Sequence, residues 1–353
     1  MSSQANRALF ATQDAEFVVR DDVRPQPGDG ELLIQNIYSG VNPADFKHAV
    51  HLGIRSTVIG YDFCGRVLSA SAASQFSEGD VVAGYTPSGM GRQSKYGTHQ
   101  DLLVCPENMA FKVPAHLPQS HAAALAVVAM TAADVVFNLW GLPLPTKPVE
   151  SARPVLIWGA SSSVGICALQ FARASGCRDI IVTASPGRHE LLKSLGATHV
   201  FDYSSPTVVE DIAAAVDKLG HGPISYTLDA VGKLSEPASA SMVAQCVTDP
   251  TAVFSSVVIQ QDQRFRMPVA MTKDDWQIHP PGAPAPISIP ARPASHWNAW
   301  EALLWAVENY GTLFKLPSVE VFQGTAEAAL QEIGKVVRGE RGFGKLVIAH
   351  PLK

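Results

Sequence analysis

The sequence predicts a two-domain α/β protein in which a doubly wound parallel sheet is inserted into a β-rich domain. The first 120 residues read as short strands separated by Pro-Gly and Glu-Gly-Asp turns. From about residue 120 helices and strands alternate, which is typical of a parallel sheet. The tail after residue 295 is too small for a third domain. We therefore expect a β-rich domain over 1–120 plus 295–353 and an α/β domain over 121–294.

The individual elements follow from apolar periodicity bounded by turn residues. Predicted strands cover 31–37, 65–68, 80–83, 155–158, 180–184, 199–202, 225–229, 253–258, 318–322 and 345–348, and predicted helices cover 121–139, 296–310 and 325–338. The strands of the α/β part are apolar on both faces, so helices must cover both sides of their sheet. Two proline-rich stretches, 143–154 and 280–293, are expected to be irregular connectors.

Composition narrows the class of partner. Hydrophobic residues make up 46% of the 353 residues, which is typical of a folded globular protein. The net charge is −5, so the chain creates no basic field that would draw it to nucleic acid or anionic lipid. The longest apolar run, 122–133, is shorter than the roughly 18 residues of a spanning helix and predicts a buried core helix. Residues 1–7 show no hydrophobic signal core and the last residues match no targeting tripeptide. A cytoplasmic location is the expectation.

Residues 155–165 place a strand, a turn of small residues and a helix start in sequence. That geometry aims backbone N–H groups and the positive end of a helix at a pyrophosphate. Only Gly159 and Gly165 remain of the usual glycines, although serine hydroxyls can donate to phosphate or cap the helix. Taken alone, the motif fits an ordinary tight βα turn equally well.

The end of the next predicted strand, 180–184, distinguishes a dinucleotide site from an ordinary βα turn. A preference for NAD is usually marked by an acidic residue there, but the sequence reads Thr-Ala-Ser-Pro-Gly-Arg over 183–188, and Asp179 stands at the opposite end of the strand. Ser185 and Arg188 suit a 2′-phosphate, because a guanidinium offers a charge-assisted fork. NADPH is therefore favoured over NADH. The alternative for Arg188 is a solvated cation on the next helix.

With these residues in view, the chain resembles the medium-chain dehydrogenase/reductase superfamily, in its zinc-free quinone oxidoreductase-like branch. The shared segments are 40–47 (GVNPADFK), 59–67 (IGYDFCGRV), 78–82 (EGDVV), 122–125 with 131–132, 191–203 (LLKSLGATHVFDY) and 342–347 (GFGKLV). The combination of 42–47, 161–164, 185–188 and 201–203 is most similar to stand-alone, trans-acting enoyl reductases of fungal polyketide synthases.

This resemblance implies a Rossmann domain inserted in a GroES-like catalytic domain. It also implies NADPH-dependent reduction of the C=C bond of an α,β-unsaturated polyketide thioester that is held on a carrier domain of a partner polyketide synthase. The cofactor-binding residues carried over by position are Ala44, Asp45, Phe46, Lys47, Ser161, Ser162, Ser163, Val164, Ser185, Arg188, Tyr203, Gly344 and Lys345. The expected substrate-binding residues are Tyr61, Thr131, Val135, Asn138 and Leu139.

Two residues are candidates for catalysis. Lys47 would polarise the substrate carbonyl or orient the nicotinamide ribose, and Thr131 would be a second donor. The alternative for Lys47 is a surface cation paired with Asp45 or Asp62. Tyr61 could donate through its phenol or could simply pack, and His48 and His51 receive no role.

No metal is expected. Zinc-dependent relatives carry Cys, His and Glu around their catalytic metal, whereas the matching positions here hold Asp45, Tyr61 and Asp62, which do not make the usual tetrahedral site. The five cysteines, Cys64, Cys105, Cys167, Cys177 and Cys246, form no C-x-x-C pair and are expected to be small buried residues.

Two other functions stay open. The chain could be a self-sufficient NADPH-dependent quinone or enone reductase acting on free small molecules, or a non-catalytic accessory module that binds a synthase. The identity of the acyl chain is not encoded in any motif, and a monomer is the expected oligomeric state.

Overall fold

The computed structural model describes residues 6–151, 153–270 and 273–353, so the first five residues of the segment expected to lack a signal core lie outside the described residues. The described strands are β1 (Asn6–Ala11), β2 (Phe17–Asp22), β3 (Glu31–Gly40), β4 (Thr57–Val58), β5 (Asp62–Ser69), β6 (Val81–Tyr85), β7 (Leu102–Pro106), β8 (Ala110–Lys112), β9 (Val155–Trp158), β10 (Ile180–Ala184), β11 (His199–Asp202), β12 (Tyr226–Asp229), β13 (Val253–Ser256), β14 (Phe265–Arg266), β15 (Trp276–Ile278), β16 (Ile287–Ile289), β17 (Val319–Phe322) and β18 (Lys345–Ala349). The described α-helices are α1 (Ala44–His51), α2 (Gln119–Ala133), α3 (Ser163–Ala174), α4 (His189–Ser194), α5 (Val208–Leu219), α6 (Ser239–Gln245), α7 (Pro293–Glu308) and α8 (Ala326–Arg338).

The chain forms two compact units. The first comprises Met1–Val127, Met271–Pro293 and Leu316–Lys353, and the second comprises Val128–Ala270 and Ala294–Lys315. These bounds differ from the predicted division, in which 121–294 formed one domain and everything after 295 belonged to the other.

Long-range contacts explain both differences. Helix α7 stays with the second unit because Asn138 donates to the carbonyl of Ser295 at 2.9 Å and Trp305 packs near Phe171. Residues 271–293 stay with the first unit because Met90 N–H donates to the carbonyl of Gln277 at 2.9 Å. The stretch 280–293 was expected to be irregular throughout, but it contains β16, which pairs antiparallel with β15.

The second unit is a doubly wound α/β domain. Its six parallel strands lie in the order β11-β10-β9-β12-β13-β14, so the direction of winding reverses between β9 and β12. Every residue of β9 and β10 is buried, and the predicted strands 155–158, 180–184 and 199–202 match the observed bounds. In such a sheet, ligands bind beyond the carboxyl ends of the strands at the point of reversal.

The first unit is β-rich. A seven-stranded sheet contains β17, β18, β3, β5, β6 and β8 in that order, with β7 paired to β3, and a second sheet contains β2, β1 and β4. Strand β18 pairs antiparallel with β3 although more than 300 residues separate them along the chain, which accounts for the return of the carboxyl-terminal tail to this unit. A core cluster that includes Leu9, Val41, Ile333 and Ile348 joins these elements.

Helix α2 continues into a π-helical segment, Asp134–Leu139. Among the described residues, this run of 21 residues is the one helix long and apolar enough to cross a membrane, and 78% of its most apolar window is buried inside the protein. The prediction of a buried core helix is confirmed. All five cysteines are likewise buried and none of them forms a disulfide. Burial raises the pKa of the Cys64 and Cys177 thiols to about 12.

Candidate cofactor and active site

The turn after β9 in the second unit is built around two glycines. Gly159 has φ +75°, and a side chain there would place Cβ 2.1 Å from Cγ2 of Val231. A Cβ at Gly165 would lie 2.8 Å from both Cα of Ala160 and the carbonyl oxygen of Gly159. The first glycine therefore permits the tight turn and the second permits the close approach of α3 to the strand, two of the roles that glycines have in dinucleotide sites.

The serines of the turn begin helix α3. The hydroxyl of Ser162 accepts a hydrogen bond from Gly165 N–H at 3.1 Å and caps the helix. The N–H groups of Ser163 and Val164 belong to the first helical turn and precede its first internal hydrogen bond, and residues 161–164 are all partly exposed. Strand β10 holds the turn in place, because Thr183 Oγ1 accepts from Gly159 N–H at 3.0 Å. This arrangement fits the pyrophosphate of a dinucleotide.

A buried carboxylate supports the neighbouring strand end. Asp229, the last residue of β12, accepts four hydrogen bonds at 2.9–3.1 Å through its two oxygens. Their donors are Val231 N–H, Gly232 N–H, Ser239 Oγ–H and Ser256 Oγ–H. Because Val231 lies against Gly159, this carboxylate fixes the loop that borders the dinucleotide turn.

The residues expected to read the 2′-position follow β10. Ser185, Pro186 and Gly187 are exposed and Arg188 is half-buried in a short 3-10 turn. Arg188 N–H donates to the carbonyl of Ser185 at 2.9 Å, so both residues lie on one tight turn at the carboxyl edge of the sheet. Tyr203 follows the adjacent strand β11 and is 52% exposed, so its ring is available to a ligand at that edge.

The residues expected to line the substrate channel differ in their surroundings. Val135 is completely buried, so a ligand would reach it only after a rearrangement, whereas Thr131 and Leu139 are half-buried. Asn138 donates to Asp134 at 2.8 Å and accepts from Asn298 at 2.9 Å. Its amide therefore ties the π-helical segment to α7, which is a structural role.

In the first unit, the motif residues 42–47 lead into helix α1 and form its first turn, which begins at Ala44. Asp45 Oδ2 accepts from Asn42 N–H at 2.8 Å and lies 3.0 Å from His99 Nε2. Within the described residues Lys47 has no hydrogen-bonded or ionic side-chain partner, since Asp45 is paired with His99 and Asp62 lies near Lys345. The structure therefore contains no ion pair between Lys47 and Asp45 or Asp62.

The other motif residues of this unit are mostly packed. Phe46 stacks on Phe17 with ring centroids 3.6 Å apart. The ammonium of Lys345 is buried and donates to the carbonyl of Val41 and to Asn42 Oδ1 at 2.5 and 2.6 Å. Ala44 is half-buried and Gly344 is exposed with φ +122°. A cofactor role for Lys345 would therefore have to operate through the packing of residues 41–42.

Asp62 is a buried carboxylate beside this lysine. Its oxygens accept from Asn42 Nδ2 at 2.8 Å and from Val127 N–H at 2.7 Å. Burial raises the pKa of Asp62 to about 6, and the Lys345 ammonium 3.8 Å away limits the rise.

Tyr61 belongs to a separate polar group. Its hydroxyl lies 2.8 Å from His48 Nδ1 and 3.5 Å from Ser88 Oγ, and the Arg92 guanidinium lies 4.5 Å from the ring centroid. Burial lowers the pKa of His48 to about 4 and raises the pKa of Tyr61. A neutral His48 can accept the phenolic hydrogen, so Tyr61 does more than pack.

These donor sets do not fit a tetrahedral zinc site. Asp45 and Asp62 already accept hydrogen bonds, Tyr61 is bonded to a histidine, and in the part of the chain that the structure describes no group of three or more His, Cys, Asp or Glu residues could hold a metal ion. Zinc prefers thiolate, imidazole and carboxylate ligands brought together.

Several residues of these clusters were not identified from the sequence. Asp229 is predicted only as a strand end, and no role is predicted for His99, Asp101 and His350, which join Ser39 in a further hydrogen-bonded cluster of the first unit. An acidic residue ending a buried parallel strand is a signal that could have identified Asp229. No local pattern marks the other three, because their contacts join segments 60 to more than 300 residues apart.

The sequence matches two family models, described as alcohol dehydrogenase GroES-like domain over residues 28–115 and zinc-binding dehydrogenase over residues 163–274. Trans-enoyl reductase TOXD of Cochliobolus carbonum is 34% identical over 197 residues, which are 55% of this chain and 66% of that protein. Trans-enoyl reductase resD of Aspergillus sclerotiorum is 31% identical over 249 residues, which are 66% of this chain and 68% of that protein. The first three curated relatives are spanned over 59–66% of their own length.

The fold agrees with these matches. The crystal structure of CurK enoyl reductase has a TM-score of 0.71 at 18% identity and covers 99% of this chain and 100% of that one. The chain belongs to the medium-chain dehydrogenase/reductase superfamily, with a GroES-like domain and a Rossmann domain.

Proposed function

We propose that this chain is a zinc-independent, NADPH-dependent enoyl reductase that reduces the C=C bond of an α,β-unsaturated thioester. The observation that carries the proposal is the similarity to proteins named trans-enoyl reductases at 31–34% identity. The aligned regions span 66% and 68% of the length of these two relatives, so the activity, substrate and partner are inferred for this chain.

The dinucleotide turn and the residues after β10 support the cofactor. Ser161, Ser162, Ser163 and Val164 would hold the pyrophosphate at the start of α3. Ser185 and Arg188 would bind the 2′-phosphate of NADPH, because the strand ends in a hydroxyl and a guanidinium where an NAD site carries an acid. Ala44, Asp45, Phe46, Lys47, Tyr203, Gly344 and Lys345 complete the proposed cofactor residues.

The reaction needs donors for a developing negative charge. NADPH supplies hydride when it is bound, and conjugate reduction then builds charge on the thioester oxygen while the α-carbon must receive a proton. We propose that Lys47 donates to the thioester oxygen or orients the nicotinamide ribose. Its ammonium forms no ion pair with either neighbouring carboxylate, Asp45 or Asp62. Thr131 is the second proposed donor. Such a donor is worth about 3–4 kcal/mol in the transition state.

The proposed substrate is carried by another protein. The name trans-enoyl reductase belongs to the relatives, and from it we infer an acyl thioester on the carrier domain of a partner polyketide synthase. The competing functions are a self-sufficient quinone or enone reductase and a non-catalytic binding module.

The test is oxidation of NADPH, followed at 340 nm, with an enoyl thioester on a pantetheine or carrier-protein handle and, in parallel, with a free quinone. Faster turnover of the thioester supports the proposal, and turnover of the quinone alone would favour the self-sufficient reductase. No oxidation with either acceptor would favour the binding module. In an Arg188→Ala variant we expect the KM for NADPH to rise about tenfold or more, with little change in the KM for NADH, because only NADPH carries the 2′-phosphate.

A further inference from the structure

An unbroken chain of hydrogen bonds crosses the interior of the β-rich unit. Asp45 Oδ2 lies 3.0 Å from His99 Nε2, and His99 Nδ1 lies 2.8 Å from Ser39 Oγ. The same hydroxyl lies 2.9 Å from His350 Nε2, and His350 Nδ1 lies 3.0 Å from Asp101 Oδ1. We call these five residues the Asp45–Asp101 chain. Four different parts of the fold supply it: β3, the start of α1, the segment before β7 and the residue after β18.

The two ends of the chain differ in their access to water. The side chains of Asp45, His99 and His350 have no exposed surface and Ser39 is fully buried, whereas the Asp101 side chain is 19% exposed. Asp45 lies on α1 two residues before Lys47. Its second oxygen, Oδ1, is buried and has no hydrogen-bond partner among the described residues. The chain therefore leads from a solvent-accessible carboxylate to an unpaired oxygen beside a proposed catalytic residue.

The Asp45–Asp101 chain needs one more hydrogen than its members carry in their ordinary ionisation states. Four hydrogen bonds need four hydrogens, but two neutral imidazoles carry one N–H each and Ser39 carries one O–H, while an ionised carboxylate carries none. Three hydrogens leave one contact with two facing lone pairs, which is costly in a buried site. One additional proton, which makes one imidazole an imidazolium, completes all four bonds.

We propose that the Asp45–Asp101 chain holds one shared proton and serves as the internal proton relay of the active site. The proton sits on His350 or on His99, and the two states have the same four hydrogen bonds. This inference rests on the proposed function where it assigns the use of the proton, but the shared proton itself does not.

The transfer is balanced at each atom. In one direction the His350 Nε2–H bond breaks and a Ser39 Oγ–H bond forms, while the original Ser39 Oγ–H bond breaks and a His99 Nδ1–H bond forms. The positive charge moves from His350 to His99 and no electrons are exchanged. His99 can then pass its Nε2 proton to Asp45, which becomes a neutral acid, while the Nδ1–H bond of His350 stays intact and donates to Asp101.

Titratable and charged groups surround both ends of the Asp45–Asp101 chain. Burial lowers the pKa of His350, the hydrogen bond that His350 donates to Asp101 opposes this shift, and the neighbouring His99 adds to it. The other titratable groups that interact electrostatically with Asp45 are His48, Tyr61, Asp62 and Arg92. Arg7 interacts in the same way with Asp101. Asn42 N–H and Leu352 N–H donate directly to the two end carboxylates.

The first test observes the proton directly in the full-length protein. Nitrogen-15 NMR of the histidine side chains at pH 7 should show one imidazolium and one neutral ring, or an exchange average, for His99 and His350. In Ser39→Ala both rings can donate to their own carboxylates while neutral, so the imidazolium signal should disappear. Two neutral rings in the wild type, or an imidazolium that persists in Ser39→Ala, would overturn the proposal.

The second test concerns the use of the proton. Because a positioned acid contributes roughly 10²–10⁴-fold, we expect Ser39→Ala to lower kcat for thioester reduction by about 10²-fold with little change in KM for NADPH. Asp101→Asn, which alters the partly exposed end, should lower kcat and change its pH profile. The matched control is Thr57→Val, which removes a buried hydroxyl of the same unit that has no hydrogen-bond partner among the described residues.

The two tests separate this inference from the proposed function. A wild-type protein that shows the shared proton but reduces no thioester would contradict the enoyl reductase and support the shared proton. Wild-type kcat in a folded Ser39→Ala variant would overturn the relay, whatever the NMR result.

Discussion

The carboxylate of Asp229 offers the sharpest test of how the Rossmann unit holds its dinucleotide turn. Replacement by alanine leaves Ser239 and Ser256 without their buried acceptor and removes the acceptor for Val231 and Gly232 N–H. A hydrogen bond to a charged group contributes about 1.5–3 kcal/mol. We count only the hydrogen bonds from the two buried serines, and Ser239 can still donate to the Lys233 carbonyl at 3.4 Å. The free energy of local opening should therefore fall by about 3–4 kcal/mol.

An isosteric variant sharpens this expectation. In Asp229→Asn the side-chain oxygen can still accept from Val231 and Gly232, and the new amide can donate to the serine hydroxyls, so the loss should be only about 1–2 kcal/mol. The assay is hydrogen–deuterium exchange of peptides covering 226–239 and 253–256, because it reports the free energy of local opening. Asp262→Ala, which removes an exposed ion pair with Arg264, is the control and should change little.

The same assay tests whether the Asp229 hydrogen bonds stabilise the dinucleotide turn. Asp229→Ala should also weaken NADPH binding, since the loop after β12 packs against Gly159. If exchange in these peptides changes by less than about 1 kcal/mol in Asp229→Ala, the hydrogen-bond network does not support the turn as described.

Three further predictions concern single residues. Gly159→Ala should weaken NADPH binding, measured by fluorescence titration, and destabilise the second unit, measured by urea unfolding. Adding Val231→Ala removes the 2.1 Å contact but leaves about 1–2 kcal/mol of backbone strain at φ +75°. Full recovery of binding and stability in the double variant would contradict this explanation. Lys47→Met should lower kcat about 10²-fold while the free energy of unfolding changes by less than about 0.5 kcal/mol, and equal losses of both would show that the lysine is structural. Burial holds the pKa of His48 at about 4, below its ordinary 6.5, so the folded state binds fewer protons than the unfolded state between these pH values and is destabilised as pH falls from 6.5 to 4. Relative to His48→Gln, the wild type should lose at most about 3 kcal/mol of unfolding free energy over that window. Parallel plots of unfolding free energy against pH for the two proteins would refute the assignment.

Much of the α/β unit could be predicted because its signals are local. Strands β9, β10 and β11 are short apolar runs bounded by Gly, Ser and Asp, and burial on both sides leaves little room for another assignment. Strands β14, β15 and β16 have two or three residues each and no periodicity that a sequence could reveal. Helix α7 was found, but its unit was not, because Asn138 and Phe171 determine where it packs.

The candidate site divides in the same way. The dinucleotide turn was predicted because strand, glycines and helix cap lie within eleven residues. The surroundings of Lys345 were not, because its ammonium bonds to Asn42 across 303 positions of sequence. The hydrogen-bonded chain between Asp45 and Asp101 depends on contacts of the same kind, and only the folded chain brings its members together.

Hydride transfer from NADPH to a conjugated C=C bond is the reaction proposed for this protein. The most direct measurement is the reduction of an enoyl pantetheine thioester with NADPH deuterated at C4 of the nicotinamide, with mass spectrometry and NMR of the product. We expect a saturated thioester that carries one deuterium at the β-carbon and, in ordinary water, none at the α-carbon. Recovery of the unsaturated thioester without deuterium, while NADPH is oxidised by a quinone, would contradict it.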